Sequence, residues 1–160
     1  MRVLQNRSVG VIQLETIIAA SPERCFDLSR SVQLHLDSAR RTGERVVGEQ
    51  PSNLLELGDQ ITWEARHLGF RKHLTITISA YDRPHSFRDE MTEGPLRYMC
   101  HDHLFDSNGD RTLMRDRFGV SMLPLFDSLV LLPHLRRFLQ ARNETIKRAA
   151  ESDGWQRYLG

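Results

Sequence analysis

The sequence of 160 residues has little cysteine, no long apolar run and almost no net charge. Two cysteines, Cys25 and Cys100, cannot build a disulfide framework, so we predict free thiols in a reducing, cytoplasmic setting. The longest purely aliphatic run, Leu129–Leu132, is far shorter than the roughly 20 residues of a membrane-spanning helix. A net charge of +1 gives no long-range attraction to nucleic acid. These absences argue against integral membrane association and against a nucleic-acid partner.

No apolar segment follows the start, MRVLQNRSVG, so we expect no cleaved secretion signal. The length is about that of one domain and is sufficient to bury a core without disulfides. We therefore predict a single domain over residues 1–160, with its core at about 8–152 and a tail at 153–160. The sequence is compatible with a monomer or a homodimer.

The stretch 86–120 is the most informative, because two predicted strands meet in it at Asn108-Gly109, a pair typical of a tight hairpin. With those two residues as the loop, Asp106 opposes Arg111 and Asp102 opposes Arg115 on a charged face. The predicted pairs on the other face are Phe105 with Thr112, His103 with Met114, His101 with Asp116, and Met99 with Phe118. Ionisable groups among large apolar side chains indicate a concave, partly solvated interior rather than a plain core.

Periodicity and breaker residues predict the other elements. Ser21-Pro22-Glu23 offers a capping serine and a proline at the first helical position, so a short helix should run to about Ser29. The remaining predictions are strands over 10–19, 45–50, 59–67, 70–80 and 86–92, a helix over 31–40 and a long helix over 133–152. The apolar stripe of the long helix is Leu135, Phe138, Leu139, Ile146 and Ala149, with Arg142 inside it. This order predicts an α+β fold, with a curved antiparallel sheet around a long C-terminal helix.

Several motifs resemble those of the START/Bet v 1-like (SRPBCC, helix-grip) superfamily, most closely its bacterial polyketide cyclase/dehydrase-like or lipid-transport-like members. The residues that carry the resemblance are Ser21–Phe26, Tyr81–Pro84 before Phe87–Met91, Gly94–Leu96 before His101–Phe105, Thr112 with Asp116-Arg117, and Arg142–Glu144. The sequence departs from the pattern at Asn143, where a histidine is expected. The resemblance implies a sheet that grips the long helix, with an apolar ligand cavity between them. It does not define a function, because members of the superfamily range from carriers to enzymes.

The predicted pair of His101 and Asp116 is the sharpest chemical feature, because a carboxylate orients an imidazole and raises its pKa. The pair suits a buried structural contact, a ligand-anchoring donor or a catalytic base. His101-Asp102-His103 also places two imidazoles on one face of a strand, with their Cα atoms roughly 6.5–7 Å apart, a spacing that a zinc or iron ion could use. Asp116, Asp89 or His67 could supply a third ligand. The resemblance implies no metal, and we predict no cofactor.

Asp89 lies between Phe87 and Met91 on the predicted inner face, where Arg142 is the expected partner for its carboxylate. We predict that the chain binds a small hydrophobic molecule, of the lipid, quinone, isoprenoid or polyketide type. The alternative is a cyclase or dehydratase with His101 and Asp116 as catalytic residues. The predicted ligand-binding residues are Trp63, Leu74, Ile76, Phe87, Asp89, Met91, Met99, His101, His103, Met114, Asp116, Phe118 and Arg142.

Overall fold

The computed structural model of the chain describes residues 9–67, 69–122 and 127–160, without the side chains of residues 67, 127 and 128. Its strands are β1 Gly10–Ile18, β2 Arg45–Val47, β3 Gln60–His67, β4 Phe70–Asp82, β5 Ser86–Glu93, β6 Tyr98–Asn108 and β7 Arg111–Ser121. Its helices are α1 Pro22–Ser29, α2 Val32–Ser38, α3 Leu132–Ala150 and α4 Gln156–Leu159. Shorter helical turns span Arg40–Thr42, Asp127–Leu131 and Asp153–Trp155.

All seven described strands form one antiparallel sheet in the order β1-β7-β6-β5-β4-β3-β2. Each pair from β2 to β7 consists of consecutive strands, and β1 returns to pair with β7. Register shifts between Thr75 and Ile76 and between Ile78 and Ala80 interrupt the pairing of β4 with β5. Such irregularities bend a sheet locally. The predicted α+β fold is confirmed.

The pairing of β6 with β7 corrects the predicted hairpin. The loop is Gly109-Asp110, and Asn108 stays in the ladder opposite Arg111. Gly109 has a φ of +66°, which suits the first position of a tight hairpin loop and explains why it takes that place. Relative to the prediction, the register shifts by two residues. A two-residue shift keeps every side chain on its predicted face, whereas a one-residue shift would have exchanged the faces.

The shift changes every predicted cross-strand pair. On the inner face the observed pairs are Phe105 with Met114, His103 with Asp116, His101 with Phe118 and Met99 with Val120. On the outer face Asp106 forms an ion pair with Arg115 rather than with Arg111. Asp102 pairs with Arg88 of β5, at 2.6 Å between Oδ1 and Nε, rather than with Arg115. The predicted charged pairs were therefore wrong in partner, although both carboxylates are paired.

The hairpin of β3 and β4 has the predicted register, with Trp63 opposite Leu74, Ile61 opposite Ile76 and the like-charged Arg66 opposite Arg71. Leu68 of the predicted turn lies outside the described residues. The short strand β2 ends at Val47, three residues before its predicted end. Helix α1 begins as predicted, because Ser21 Oγ accepts a hydrogen bond from the backbone N–H of Arg24 at 3.3 Å.

Helix α3 lies across the concave face with its apolar stripe inward, and Leu139, Ile146 and Ala149 are buried. Gly10 lies so close to the start of α3 that an added Cβ would be 2.8 Å from Leu132. The predicted tail is not a free extension, since the guanidinium of Arg24 lies 4.7 Å from the Trp155 ring centre. None of the described helices is both long and apolar enough to cross a bilayer.

Both cysteines are free and buried. Burial raises the pKa of the Cys25 thiol to about 11, and it also raises the pKa of Cys100. Cys100 lies on the predicted outward face of β6 and is nevertheless shielded. Neither thiol is therefore ionised at neutral pH, which argues against a reactive cysteine.

Candidate functional site: a polar cluster inside an apolar cavity

A cavity of about 660 Å³ lies between the concave face of the sheet and helix α3. Ten of the predicted ligand-binding residues line it: Trp63, Leu74, Ile76, Phe87, Asp89, Met99, His101, His103, Phe118 and Arg142. The other three, Met91, Met114 and Asp116, do not line it. Met114 is fully buried in the core, and Asp116 is buried as the hydrogen-bond partner of His101. Ten of the thirteen predicted residues therefore lie around one cavity, and their role as ligand-binding residues stays a prediction.

Two histidines and two carboxylates form a crossed arrangement on the concave face. Asp116 of β7 is opposite His103, yet its Oδ1 lies 2.7 Å from Nε2 of His101. Asp89 of β5 is opposite His101, yet its Oδ2 lies 2.8 Å from Nε2 of His103. Each carboxylate thus reaches the diagonal imidazole, which is possible because diagonal neighbours in a sheet are within reach of long side chains. The predicted contact of His101 with Asp116 is confirmed, although the two residues are not directly opposite.

Asp116 is a buried carboxylate with partners on both oxygens. Oδ2 accepts a hydrogen bond from Nδ2 of Asn143 at 2.6 Å. Oδ1 lies 3.5 Å from Nη1 of Arg142 in addition to its contact with His101. Burial by itself raises the pKa of Asp116, but the hydrogen bond from His101 and the positive charge of Arg142 outweigh it, so the pKa lies well below its ordinary value.

Arg142 brings the long helix into the cluster. Its Nη1 donates to Oδ1 of Asn143 at 3.1 Å, and its Nη2 donates to the backbone carbonyl of Ser29 at 3.1 Å. The same Nη2 lies 3.3 Å from Nδ1 of His103. Asp89 was expected to pair with Arg142, but its hydrogen-bond partner is His103. The guanidinium is therefore held by α1, α3 and β6 together, which fixes its position at the cavity wall.

Stacked rings hold the imidazoles in place. The His103 ring stacks on Phe87 with 4.1 Å between centroids and 14° between planes. The centroid of the His101 ring lies 3.7 Å from that of His103. The centroid of the Phe118 ring lies 5.1 Å from that of His101, in an edge-to-face arrangement. Because the rings pack against one another and each imidazole is hydrogen-bonded, neither can rotate freely. The cluster is preorganised.

The hydrogen bond to Asp116 also fixes the tautomer of a neutral His101 ring. Asp116 accepts from Nε2, so the proton of a neutral ring resides there and Nδ1 carries the lone pair. Nδ1 of His101 has no hydrogen-bond partner among the described residues, and His101 lines the cavity. A ligand hydroxyl or another acidic proton is the natural partner for this lone pair.

His103 gives the structure a pH dependence. Burial, followed by the nearby His101, lowers the pKa of His103 from 6.5 to about 4. Between these values the unfolded chain binds a proton that the folded chain does not, so stability falls as the pH decreases from 6.5 to 4. Because a pKa shift of one unit corresponds to about 1.4 kcal/mol, the free energy of unfolding falls by about 3 kcal/mol over this pH range.

We expect His103→Gln, which can still donate to Asp89, to remove most of this pH-dependent loss. Urea unfolding of both proteins at several pH values between about 4 and 7 measures the difference. His85→Gln changes an exposed histidine and serves as the control, so its profile should match that of the wild type. Parallel profiles for wild type and His103→Gln would contradict the assignment.

Ligand atoms of Asp89, His101 and His103 lie within 4.8 Å of one another, so the residues considered for a metal do come together in part. Asp116 is instead engaged by His101 and Asn143, and the side chain of His67 lies outside the described residues. The donor set suits a divalent transition metal. The guanidinium of Arg142 next to His103 opposes a cation there.

Sequence reasoning missed two features of the cavity. Asn143 holds the second oxygen of Asp116, and an asparagine directly after Arg142 carried no sequence signal beyond its departure from the superfamily pattern. His35 and Glu44, from the α2 region and the segment before β2, form an ion pair at the cavity wall. His35 has the helical spacing to share a side of α2 with Val32 and Leu36, and its contact with Glu44 could not be inferred without the fold.

No protein-family model and no curated protein matches the sequence. Solved structures do match its fold. Ginseng major latex-like protein 151 from Panax ginseng is 15% identical, with a TM-score of 0.68 over 90% of this chain and 99% of that one. TTHA0849 from Thermus thermophilus is 16% identical, with a TM-score of 0.66 over 88% of this chain and 99% of that one. Norcoclaurine synthase from Thalictrum flavum, solved with dopamine and hydroxybenzaldehyde, is 16% identical, with a TM-score of 0.68 over 92% and 91%.

These likenesses establish the fold class. The chain has the Bet v 1-like helix-grip fold, as the motifs quoted from its sequence had implied. Sequence identities of this size carry the architecture and not the activity. What the cavity of this chain holds has to be argued from its own residues.

Proposed function

We propose that the protein binds a small hydrophobic molecule in the cavity between the sheet and helix α3, with the polar end of the molecule at His101, His103, Asp89 and Arg142. The observation that carries the proposal is the placement of a preorganised polar cluster at the wall of a mostly apolar cavity. Ligand sites in proteins typically combine mostly apolar walls with a few fixed polar groups.

The size of the cavity supports this function. Its volume of about 660 Å³ lies within the range of roughly 300–1,000 Å³ found for small-molecule sites. The apolar walls are formed by Leu74, Ile76 and Met99 from the sheet and by Leu135 and Leu139 from α3. Burying a ligand against these side chains provides affinity, because apolar area leaves water. Lipids, quinones, isoprenoids and polyketides all have the required apolar body and polar end.

The polar cluster supplies orientation. The lone pair of His101 at Nδ1 accepts a hydrogen bond from a ligand hydroxyl. Arg142 carries a positive charge that favours a carbonyl or phenolate oxygen. A polar group of the ligand placed elsewhere along the apolar wall would lose its hydrogen bonds to water without replacement. The cluster therefore selects molecules by the position of their polar group and not by size alone.

Filling the cavity should abolish binding. We expect Leu135→Trp to lower the affinity for an apolar fluorescent probe by at least about tenfold, because the larger side chain occupies the space between α3 and the sheet. Fluorescence titration measures the affinity, and native mass spectrometry tests for a co-purifying apolar ligand. Leu57→Trp adds the same side chain at an exposed position outside the cavity lining and should bind like the wild type. Equal affinity in all three proteins would contradict binding in the cavity.

A second candidate function is catalysis of the cyclase or dehydratase type, and the 2.7 Å contact of His101 with Asp116 favours it. With a β-hydroxy ketone as the substrate, Nδ1 of His101 would take the proton from the substrate carbon alpha to the carbonyl. The electron pair of the broken C–H bond would form an enolate. Arg142 would stabilise the enolate oxygen. The enolate would then expel the β-hydroxide, which takes the proton back from His101 and leaves as water, so that the ring returns to its starting state.

The two candidates are separated by His101→Ala. As a binding protein, the variant retains the apolar probe with altered affinity, and no reaction is lost. As an enzyme, the wild type turns over a polyketone-like substrate, and His101→Ala loses the turnover while it still binds the substrate. Liquid chromatography with mass spectrometry measures the loss of water directly.

A further inference from the structure

The cavity has a second polar group that neither of these functions uses. Nε2 of His35 and Oε2 of Glu44 are in direct contact, and both residues line the cavity. The ring of His35 lies against the indole of Trp63, with 4.3 Å between the centroids. Glu44 is almost fully buried, at 6% exposed. A carboxylate buried at a mostly apolar wall needs a hydrogen-bond partner, and Nε2 of His35 is one partner of Glu44.

The His35–Glu44 pair has the same chemistry as the pair of His101 and Asp116. In each, a buried carboxylate contacts Nε2, which places the proton of a neutral ring on Nε2 and leaves the lone pair on Nδ1. Nδ1 of His35, like that of His101, has no hydrogen-bond partner among the described residues. Two histidines that line the cavity therefore each carry an Nδ1 with no hydrogen-bond partner among the described residues.

The two acceptors lie at different ends of the cavity. Trp63, against which His35 packs, is on β3, whereas His101 is on β6, and the two strands are separated by β4 and β5. Three strand spacings correspond to roughly 14 Å along the sheet, and less across its concave side. On helix α3 the His35 ring is near Phe138, whereas the other cluster contacts Arg142, one turn further along. Apolar side chains, including Leu74, Ile76 and Leu139, form the walls of the same cavity.

We infer that the His35–Glu44 pair is a second polar subsite, and that the ligand is an elongated apolar molecule with a hydrogen-bonding group at each end. One hydroxyl or equivalent donor binds Nδ1 of His101, and the other binds Nδ1 of His35. The inference rests on the proposed binding function and deepens it by defining the ligand class. A molecule with a single polar end would place its methyl end against His35 and leave that acceptor without a partner.

A matched pair of probes tests the inference. A medium-chain alkan-1-ol and the α,ω-diol of the same chain length differ only in the second hydroxyl. For each protein, titration calorimetry gives the ratio of the two dissociation constants, which removes effects common to both probes. We expect His35→Leu to reduce the wild-type preference for the diol by about tenfold, the equivalent of one hydrogen bond. Glu44→Leu, which removes the acceptor that holds the proton of His35 on Nε2, should reduce the preference in the same direction.

His85→Leu replaces an exposed histidine outside the cavity lining and should keep the wild-type ratio. Circular dichroism identifies any variant that has not folded, and the other subsite variant then carries the test. A ratio unchanged in both folded subsite variants, or an equal loss of affinity for both probes, would overturn the second subsite while the binding function stands. If neither probe binds the wild type, the second subsite and the proposed function are both overturned.

Discussion

Asp116→Asn is expected to lower the free energy of unfolding by about 3–5 kcal/mol, the range measured when one member of a buried ion pair is removed. The carboxylate is 2% exposed, lies 3.5 Å from Nη1 of Arg142 and accepts hydrogen bonds from His101 and Asn143. An asparagine of similar size cannot accept from both, and it leaves Arg142 buried with less compensation. Urea unfolding at neutral pH measures the loss, which is a large part of the stability of an ordinary domain.

Asp106→Asn is the matched control, because Asp106 also pairs with an arginine, Arg115, but at an exposed position. Surface pairs of this kind contribute about 0–1 kcal/mol. The double variant Asp116→Asn with Arg142→Met removes both charges and should lose less stability than the two single variants added together. If Asp116→Asn and Asp106→Asn cost the same, Asp116 is not the buried centre of the cluster.

Phe26→Ala is expected to destabilise the protein by about 3–5 kcal/mol, since a fully buried aromatic ring leaves a cavity when it is truncated. Phe26 lies where helix α1 contacts the sheet, with its ring 5.3 Å from Tyr81, 5.2 Å from Phe87 and 5.4 Å from Phe105, all edge-on. Phe87 in turn stacks on His103, so the loss should also reduce ligand affinity. Thermal and urea unfolding measure the first effect, and probe titration measures the second.

Phe70→Ala provides the comparison for the stability measurement, because Phe70 is 68% exposed at the start of β4. Truncation of an exposed ring usually changes stability by no more than about 0.5 kcal/mol. A loss for Phe26→Ala no greater than that for Phe70→Ala would show that the aromatic group around α1 does not anchor the helix to the sheet.

Most of the strands could be predicted from the alternation of apolar and polar side chains in the sequence. Along β6 and β7 it placed His101, His103 and Asp116 on the inner face, and the structure agrees although the predicted loop was one residue out of place. The face on which a side chain lies can be predicted correctly even when the register is wrong, because a register shift of two residues leaves every side chain on the same face. The dipeptide Asn108-Gly109 favoured one loop, and only the ladder shows that Asn108 remains paired.

The diagonal contacts of the cluster could not be predicted from which residues lie directly opposite each other on neighbouring strands. Asp89 and Asp116 each bond the histidine that they do not face, which depends on side-chain rotamers and on the packing of Phe87 and Phe118 around the rings. The partner of Asp116 from the helix, Asn143, depends on the rotation of α3 about its axis. The pair of His35 with Glu44 joins two segments whose approach is set by tertiary packing.

The segment 123–132 is rich in leucine, which suits either a cover over the cavity or contact with a partner chain, and its residues 123–126 lie outside the described part of the chain. Val130 and Leu131, which follow, line the cavity. Leu131 is buried, whereas Leu129 and Val130 are exposed. This part of the chain therefore contributes to the cavity wall, and whether it also acts as a cover stays a prediction.

Nuclear magnetic resonance of the imidazole nitrogens tests the central claim most directly. In wild-type protein at neutral pH, we expect His101 to carry its proton on Nε2, and we expect its Nδ1 signal to move in a saturable way as an apolar alcohol is added. The signals of the exposed His85 should stay in place. Binding of the alcohol that leaves both imidazoles of the cluster unchanged would show that its hydroxyl does not bind there, and the assignment of the cluster as the polar end of the site would be wrong.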